Sequence, residues 1–230
     1  MPCSAVGFKL GLYYEHDIIS IMARYPATHK ASTRTRILES AERLMKSRGV
    51  DAASVDAVMR AAGLTVGGFY AHFSSKEALA REAVLYSLEA SVDRLMASLA
   101  AIADPEQWVR ALIREYLSQV EDPVLEHACP LTLFLPEIAR GDRDAQNAFA
   151  QRTGVLLDRI AAQFPDVPGM SRRDAALAVY TSCVGAVTLA RAVAAPEARQ
   201  RIVRSTETML LRMLGLLPNP LDGQRTRARA

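Results

Sequence analysis

The sequence predicts an all-α protein in which a small N-terminal helix-turn-helix head is joined by a long helix to a larger helical body. Three observations lead to this prediction. Apolar residues recur at helical spacing along most of the chain, no segment alternates as a strand does, and basic residues are concentrated near the N-terminus. Half of the 230 residues are apolar, which is enough to build a substantial core.

The head is predicted from two short amphipathic helices that meet at Gly63. This glycine stands where a helix ends in a left-handed residue, and Thr65 is placed to cap the helix that follows. Such a tight turn indicates a helix-turn-helix, and a preceding helix from Thr33 to Gly49 completes a three-helix core. The apolar faces of the three helices are Ile37, Leu38, Ala41, Leu44 and Met45, then Val55, Val58, Met59 and Ala62, then Val66, Phe69, Tyr70 and Phe73.

A long helix is predicted to leave the head. Ser74 and Glu77 have the spacing of a capping box, in which Glu77 reaches back to the Ser74 backbone, and apolar residues continue at helical spacing to Leu99. The body then begins at Asp104, where a capping aspartate followed by proline starts a helix to Glu121. Further helices are predicted over residues 123–128, 131–140, 143–164, 172–194 and 196–217.

Four motifs in the head occur in a characteristic order. They are the helix end Arg48-Gly49, the turn Ala61-Ala-Gly-Leu-Thr, the core Phe69-Tyr-Ala-His-Phe and the exit Ser75-Lys-Glu-Ala-Leu. Over residues 33 to 80 the chain therefore resembles the TetR family of one-component transcriptional regulators. The resemblance implies a homodimer that represses transcription and is released from a double-stranded DNA operator by a small effector. The three cysteines form no Cys-x-x-Cys pair, which predicts a reduced cytoplasmic protein, and the scarcity of central charged residues predicts an apolar effector.

The charge distribution agrees with a DNA-binding head. Residues 24–81 contain ten Lys and Arg against five Asp and Glu, whereas residues 82–221 contain fourteen against seventeen. Phosphate contacts dominate nucleic-acid affinity, so the head suits a polyanionic partner. From the resemblance and from side-chain chemistry, the expected DNA-binding residues are Thr33, Arg34, Ser54, Thr65, Val66, Gly68, Tyr70, His72 and Lys76.

The predicted recognition helix departs from the family pattern at residues 66–68, which are Val66, Gly67 and Gly68. No residue from 65 to 71 is an Arg, Lys, Asn or Gln, the types that read purines by paired hydrogen bonds. We expect contacts from the Thr65 hydroxyl, from Val66 to a thymine methyl, and from the backbone at the two glycines. The alternative is that the glycines only let this helix pack close to the first one. A basic N-terminal arm around Arg24, Lys30, Thr33 and Arg34 could add minor-groove contacts.

The resemblance also implies an effector pocket and a dimer interface in the body. The pocket would be moderately apolar, and its expected wall residues serve equally well as ordinary core residues. The last two helices, over residues 172–194 and 196–217, have apolar faces suited to a four-helix dimer bundle, with an intramolecular core as the alternative. The expected ligand-binding residues are Met96, Trp108, Tyr116, His127, Phe134, Phe149 and Tyr180, and the dimer faces are Ala175, Val179, Ser182, Ala186, Leu189 and Val193, then Ile202, Met209, Leu210, Met213 and Leu214.

Two other function classes remain open. Cys129 lies beside His127 at a break between helices, so a repressor switched by oxidants or electrophiles is one alternative, with an inert buried cysteine as the plain interpretation. A more distant alternative is a helical small-molecule-binding protein or enzyme without DNA binding. No catalytic motif, cofactor site or metal site is found in the sequence, so we expect no enzymatic activity.

The domain limits follow from these assignments. Residues 24–81 form the head with its basic arm, and residues 82–217 form the effector-binding and dimerisation body. Residues 1–23 are interpreted as an N-terminal extension that is not native, for instance from a start codon placed too early. Residues 218–230 are interpreted as a flexible basic tail. The longest uncharged run, residues 175–190, is too short and too polar for a membrane span.

Overall fold

The structure, a computed structural model, describes residues 27–217. The predictions of an N-terminal extension, of an arm contact at Arg24 and of a basic tail fall outside these residues. Within them the chain is helical except for turns and one isolated bridge between Val167 and Met170, so the all-α prediction is confirmed. None of the helices in this range is long and apolar enough to cross a membrane.

The helices follow the predicted order. Residues 66–71 form a 3-10 helix that we call the recognition segment, and residues 125–127 form a second 3-10 helix. The bounds are α1 Ala27–Arg48, α2 Val55–Ala61, the recognition segment Val66–Ala71, α3 Lys76–Ser98, α4 Pro105–Ser118, the 3-10 helix Leu125–His127, α5 Leu131–Arg140, α6 Arg143–Ala161, α7 Arg172–Arg191 and α8 Pro196–Met213.

Several helix ends differ from the prediction. α1 starts before Thr33, and α6, α7 and α8 each end before the predicted last residue. The cap of α3 is Ser75, whose hydroxyl accepts a hydrogen bond from the Ala78 amide at 3.1 Å, so the predicted Ser74 cap was wrong by one position. Glu77 interacts with Ser75 rather than Ser74. Hydrogen bonds from its own backbone amide and from the Ser75 hydroxyl lower the pKa of its carboxyl group.

Two predicted helices are 3-10 rather than α. In the recognition segment, Gly67 and Gly68 are adjacent, and each glycine disfavours an α-helix by about 1 kcal/mol relative to alanine. The predicted capping bond from the Thr65 side chain is also absent. In the other segment, Asp122 Oδ1 accepts a hydrogen bond from the Val124 amide at 2.8 Å across Pro123, which leaves only one 3-10 turn after it.

The buried side chains form two hydrophobic cores, and α3 contributes to both. Its first half packs in the head core, and its second half packs in the body core. α5 also divides, because Leu131 lies in the body core whereas Phe134 lies in the head core. Other large members of the head core are Ile37, Met45, Met59, Phe69, Phe73, Leu79 and Val84, and those of the body core include Leu88, Val92, Trp108, Ile113, Tyr116, Leu117, Ile160, Phe164, Tyr180 and Leu210.

A buried polar cluster lies where head and body meet. Lys46 on α1 has a fully buried side chain whose Nζ lies 2.8 Å from Glu42 Oε1. The same ammonium donates to the backbone carbonyl of Glu126 at 3.1 Å, and the Ser87 hydroxyl of α3 donates to Glu42 at 2.8 Å. These contacts connect the head helix α1 to α3 and to the 3-10 helix of the body.

Lys46→Met is expected to lower the free energy of unfolding by about 3 kcal/mol, because it leaves the Glu42 carboxylate buried without its cation. The double variant Glu42→Gln/Lys46→Met is expected to recover most of that loss. Urea denaturation at neutral pH measures both. The control is Arg60→Met, which breaks the exposed ion pair with Asp56 and is expected to change stability by less than about 0.5 kcal/mol. Equal losses from Lys46→Met and Arg60→Met would contradict this assignment.

Candidate nucleic-acid interface

The turn between α2 and the recognition segment is set by Gly63. Its φ is +67°, in the left-handed region that favours glycine. The Leu64 amide donates to the Met59 carbonyl at 2.8 Å, and the Arg36 guanidinium donates to the Ala62 carbonyl at 2.6 Å. These bonds complete the end of α2, so the predicted helix-turn-helix geometry is present.

A surface groove of about 390 Å³ brings together four of the predicted DNA-binding residues, Thr33, Thr65, Gly68 and His72. Lys30, in the predicted arm, lies on the same groove. His29, Met59, Leu64 and Ala71 complete the lining of the groove. Leu64 and Ala71 were not predicted as site residues, because apolar side chains carry no signature of a binding surface.

The recognition segment is anchored by Phe69 and exposes the residues beside it. Phe69 is fully buried and contacts Phe73 with stacked rings 5.8 Å apart. In contrast, Tyr70 is 73% exposed and Val66 is 43% exposed. The expectation that Val66 and Tyr70 share the buried face was therefore wrong. Their exposure is what a contact surface requires.

Neither glycine of the recognition segment is needed for packing. A Cβ atom at Gly67 would meet nothing within 4 Å, and one at Gly68 would make an ordinary contact with Met59 at 3.8 Å. Neither glycine has a positive φ, so other residues could adopt the same backbone conformation. Among the described residues, positive φ occurs at other glycines, such as Gly63. The alternative in which these glycines let the segment approach α1 is therefore not favoured by the packing.

Arg34 is partly exposed, with 35% of its side chain accessible, and its guanidinium has several partners within the head. Its guanidinium donates to the His72 carbonyl, pairs with Glu82 of α3 and lies 4.2 Å from the centre of the Phe73 ring. All these partners belong to the protein itself. The structure thus gives Arg34 an internal role, and a direct DNA contact by this residue stays a prediction. Thr33 is also largely buried, with 8% exposure.

The remaining predicted residues have local partners. Ser54 caps α2 by accepting a hydrogen bond from the Ala57 amide at 3.2 Å, and Lys76 Nζ donates to the Asp51 carbonyl at 3.0 Å. Burial, with the charges of Lys30 and Arg34, lowers the pKa of His72. The His72 Nδ1 atom is buried and has no hydrogen-bond partner among the described residues.

Three of the predicted ligand-binding residues share one cavity of the body. Tyr116, His127 and Tyr180 line a space of about 220 Å³ between α3, α4 and α7. The two tyrosine rings meet edge to face with centroids 5.7 Å apart. His127 lies at the rim, where its Nδ1 is 2.9 Å from Asp122 Oδ2.

The other four predicted ligand-binding residues lie elsewhere, so the seven do not form one wall. Trp108 packs in the body core with its ring centroid 6.2 Å from that of Phe164. Phe134 belongs to the head core, and Met96 packs against the body core. Phe149 lines a different groove, of about 460 Å³, between α3 and α6. Helical periodicity identifies inward-facing residues but cannot assign them to one cavity.

The head also matches a protein-family model. The family is described as "Bacterial regulatory proteins, tetR family", and the match covers residues 37–83. These residues contain most of α1, all of α2, the recognition segment and the start of α3. The head of the chain is therefore similar to the TetR family, as its sequence motifs indicated.

Similar proteins agree with this TetR assignment. The transcriptional regulator UidR of Escherichia coli K12 is 30% identical over 86 residues, which are 37% of this chain and 44% of UidR. The match thus spans less than half of that relative. A TetR regulator from Chloroflexus aurantiacus is 25% identical with a TM-score of 0.60, covering 79% of this chain and 93% of that one. A regulator from Saccharomonospora viridis, solved in complex with choline, shares the fold at 17% identity, with a TM-score of 0.62 and coverages of 78% and 96%.

Part of each predicted dimer face is buried within the single subunit. On α7, Ala175, Val179 and Ala186 pack in the body core, as do Leu210 and Leu214 at the end of α8. The intramolecular alternative therefore accounts for these five. Two other members of the predicted faces are exposed, Leu189 at 56% on α7 and Met209 at 48% on α8. With Leu177 on α7 they form an exposed strip on the same two helices.

The two cysteines in the described residues are buried. Cys129 Sγ lies 3.8 Å from the Tyr180 hydroxyl, and the Cys129 amide donates to Gln119 at 2.9 Å. Burial raises the pKa of Cys183 to about 12, so that thiol stays protonated. Buried thiols are poor nucleophiles, and this environment does not favour the redox alternative.

Gly67→Ala and Gly68→Ala are expected to leave the free energy of unfolding unchanged or to raise it by up to about 1 kcal/mol, because alanine fits and restricts the unfolded chain. Gly63→Ala is the matched control. It is expected to lower stability by about 1–2 kcal/mol, since residue 63 has a left-handed backbone. Thermal and urea unfolding of the three variants measures this. A loss at position 68 as large as that at position 63 would show that the segment needs its glycines for folding.

Proposed function

We propose that this protein is a homodimeric transcriptional repressor, which binds an operator through its head and is released when a small molecule binds its body. The observation that carries the DNA-binding part is the recognition segment. It exposes Val66 and Tyr70, and it keeps two glycines that the packing of the chain does not require. Close approach of a partner's backbone explains such glycines.

The groove beside this segment has the chemistry of a DNA contact. Lys30 provides a positive charge, and Thr65 provides an exposed hydroxyl, both of which suit phosphate oxygens. The excess of Lys and Arg over Asp and Glu in residues 24–81 also favours binding to the phosphates of DNA. Arg34 contributes indirectly, because its contacts with His72 and Glu82 hold the recognition segment against α3.

Release by a ligand needs a physical connection between cavity and head, and residues 122–127 supply one. Asp122 and His127 line the body cavity, while the carbonyl of Glu126 accepts a hydrogen bond from the buried Lys46 of α1. A ligand that displaces this segment would therefore disturb a head helix. It must bind the DNA-incompetent arrangement more tightly, and a preference of about 2.7 kcal/mol would lower DNA occupancy about a hundredfold.

The similarity to the TetR family supports both halves of the proposal. UidR is named as a helix-turn-helix transcriptional regulator, and the Saccharomonospora regulator of the same fold was solved with choline. Dimerisation places two heads on one duplex, usually one helical turn apart. The exposed strip on α7 and α8 offers an apolar surface for that contact.

DNA binding is tested by selecting duplexes from a random library with the full chain and measuring affinity at several salt concentrations. Lys30→Gln is expected to reduce the slope of log K against log salt by about one unit, because one phosphate contact is lost. Gly68→Ala is expected to weaken binding about tenfold without loss of stability. Arg172→Gln removes the same charge from the body, where Arg172 pairs with Asp166, and should leave the slope unchanged.

Failure to enrich any sequence, with a slope unaffected by Lys30→Gln, would remove DNA binding from the proposal. Enrichment with equal slopes in the Lys30 and Arg172 variants would mean that DNA contacts a different face of the head.

Dimerisation is tested by placing charge on the exposed strip. Leu189→Arg and Met209→Arg are expected to convert a dimer into a monomer at micromolar concentration, because each buries a charge at the contact. Sedimentation velocity measures the mass. Val155→Arg on α6 is the control, since Val155 is 55% exposed and lies on another helix. A wild-type monomer, or a dimer that all three variants retain, would contradict this interface.

A further inference from the structure

The body cavity contains a buried hydrogen-bond donor without a partner. Tyr116 is 3% exposed, and its hydroxyl makes no hydrogen bond to any described residue. The Cys129 thiol is near enough to this hydroxyl to raise its pKa, but a thiol sulfur is only a weak acceptor, so a stronger acceptor can still be bound there. Leaving such a group unpaired in the interior is unfavourable, so the site is suited to a ligand that supplies an acceptor.

The size of the cavity limits that ligand. Its volume is about 220 Å³, whereas an engineered protein cavity of about 150 Å³ accommodates benzene. A single ring with one small substituent is therefore the appropriate size. The Tyr116 and Tyr180 rings, set edge to face, and the apolar side chains of Val92 and Leu95 provide flat and apolar walls for such a ring.

The charges around the cavity do not select a charged ligand. Arg94 and Glu115 carry opposite charges at the rim, and Asp122 is hydrogen-bonded to His127. Burial raises the pKa of Tyr116 well above its ordinary value, so its hydroxyl remains a neutral donor. A carboxylate would meet Glu115 and Asp122, and an ammonium group would meet Arg94 and could not accept from Tyr116.

We propose that this cavity binds a small uncharged monocyclic compound with a carbonyl oxygen, and that Tyr116 donates the hydrogen bond that selects it. The inference rests on the proposed function only for its consequence, release of DNA. It deepens that function by naming the ligand class and the residue that recognises it. Tyr180 contributes its ring to the cavity wall and does not select the ligand, because its own hydroxyl is already in contact with Cys129.

The test compares four probes of similar shape on the full chain. Acetophenone carries the carbonyl, ethylbenzene lacks it, and benzoate and benzylamine carry opposite charges. Dissociation constants are measured by nuclear magnetic resonance titration. Acetophenone is expected to bind about tenfold more tightly than the other three, in line with one buried hydrogen bond.

Two conservative variants locate the interaction. In Tyr116→Phe, acetophenone and ethylbenzene are expected to bind within about twofold of each other, whereas Tyr180→Phe keeps the tenfold preference. Tyr116→Phe should unfold at the same or a higher temperature, because the removed hydroxyl had no partner. Leu95→Trp fills the cavity from α3 and should abolish binding of both probes, so the test does not depend on one variant.

Three results would overturn the inference: no saturable binding of acetophenone, a preference for benzoate or benzylamine, or a carbonyl preference that survives Tyr116→Phe. The same probes are then added to the complex with a selected duplex. Binding that depends on Tyr116 without release of DNA would retain this site and contradict ligand-released repression. DNA binding without acetophenone binding would retain the DNA-binding proposal and reject this site.

Discussion

The first half of α3 is buried in the head core through Leu79 and Val84, and the second half is buried in the body core through Leu88 and Val92. A helix is stiff over this length, so a tilt of one half displaces the other. Ser87 lies between the two sets and donates to Glu42, which places a polar contact where the cores meet. The orientation of the recognition segment therefore depends on how α3 is held by the body.

Phe134 couples the head to the body more tightly than the shared helix α3 would alone. It belongs to α5 in the body sequence, but its ring packs in the head core, while Leu131 one turn earlier packs in the body core. Packed interiors change between discrete arrangements rather than deforming smoothly. A movement of the head must therefore repack Phe134 and displace the Lys46 contact with Glu126 together, which favours two states over a continuum.

Local signals in the sequence were sufficient for most of the fold. Gly63 and Asp104 are determined by backbone geometry and capping chemistry, and both were predicted correctly. Sequence patterns were insufficient where contacts with residues distant in the chain decide the position or partner of a side chain. Periodicity places Phe134 on an inward face but cannot say which core it enters, and a basic residue such as Arg34 looks the same whether it meets phosphate or Glu82. The unpartnered hydroxyl of Tyr116 likewise depends on its neighbours in space.

The composition of the recognition segment limits how an operator could be distinguished. Val66 and Tyr70 are its exposed large side chains, and neither can make the paired hydrogen bonds by which Arg or Asn read a purine. With Arg34 committed to internal contacts, direct readout would rest on a thymine methyl at Val66 and on the Thr65 hydroxyl. Much of the discrimination between operators must then come from the shape of the duplex. Close approach of the backbone at Gly67 and Gly68 is suited to sense that shape, because a groove of the wrong width would separate the protein backbone from the DNA.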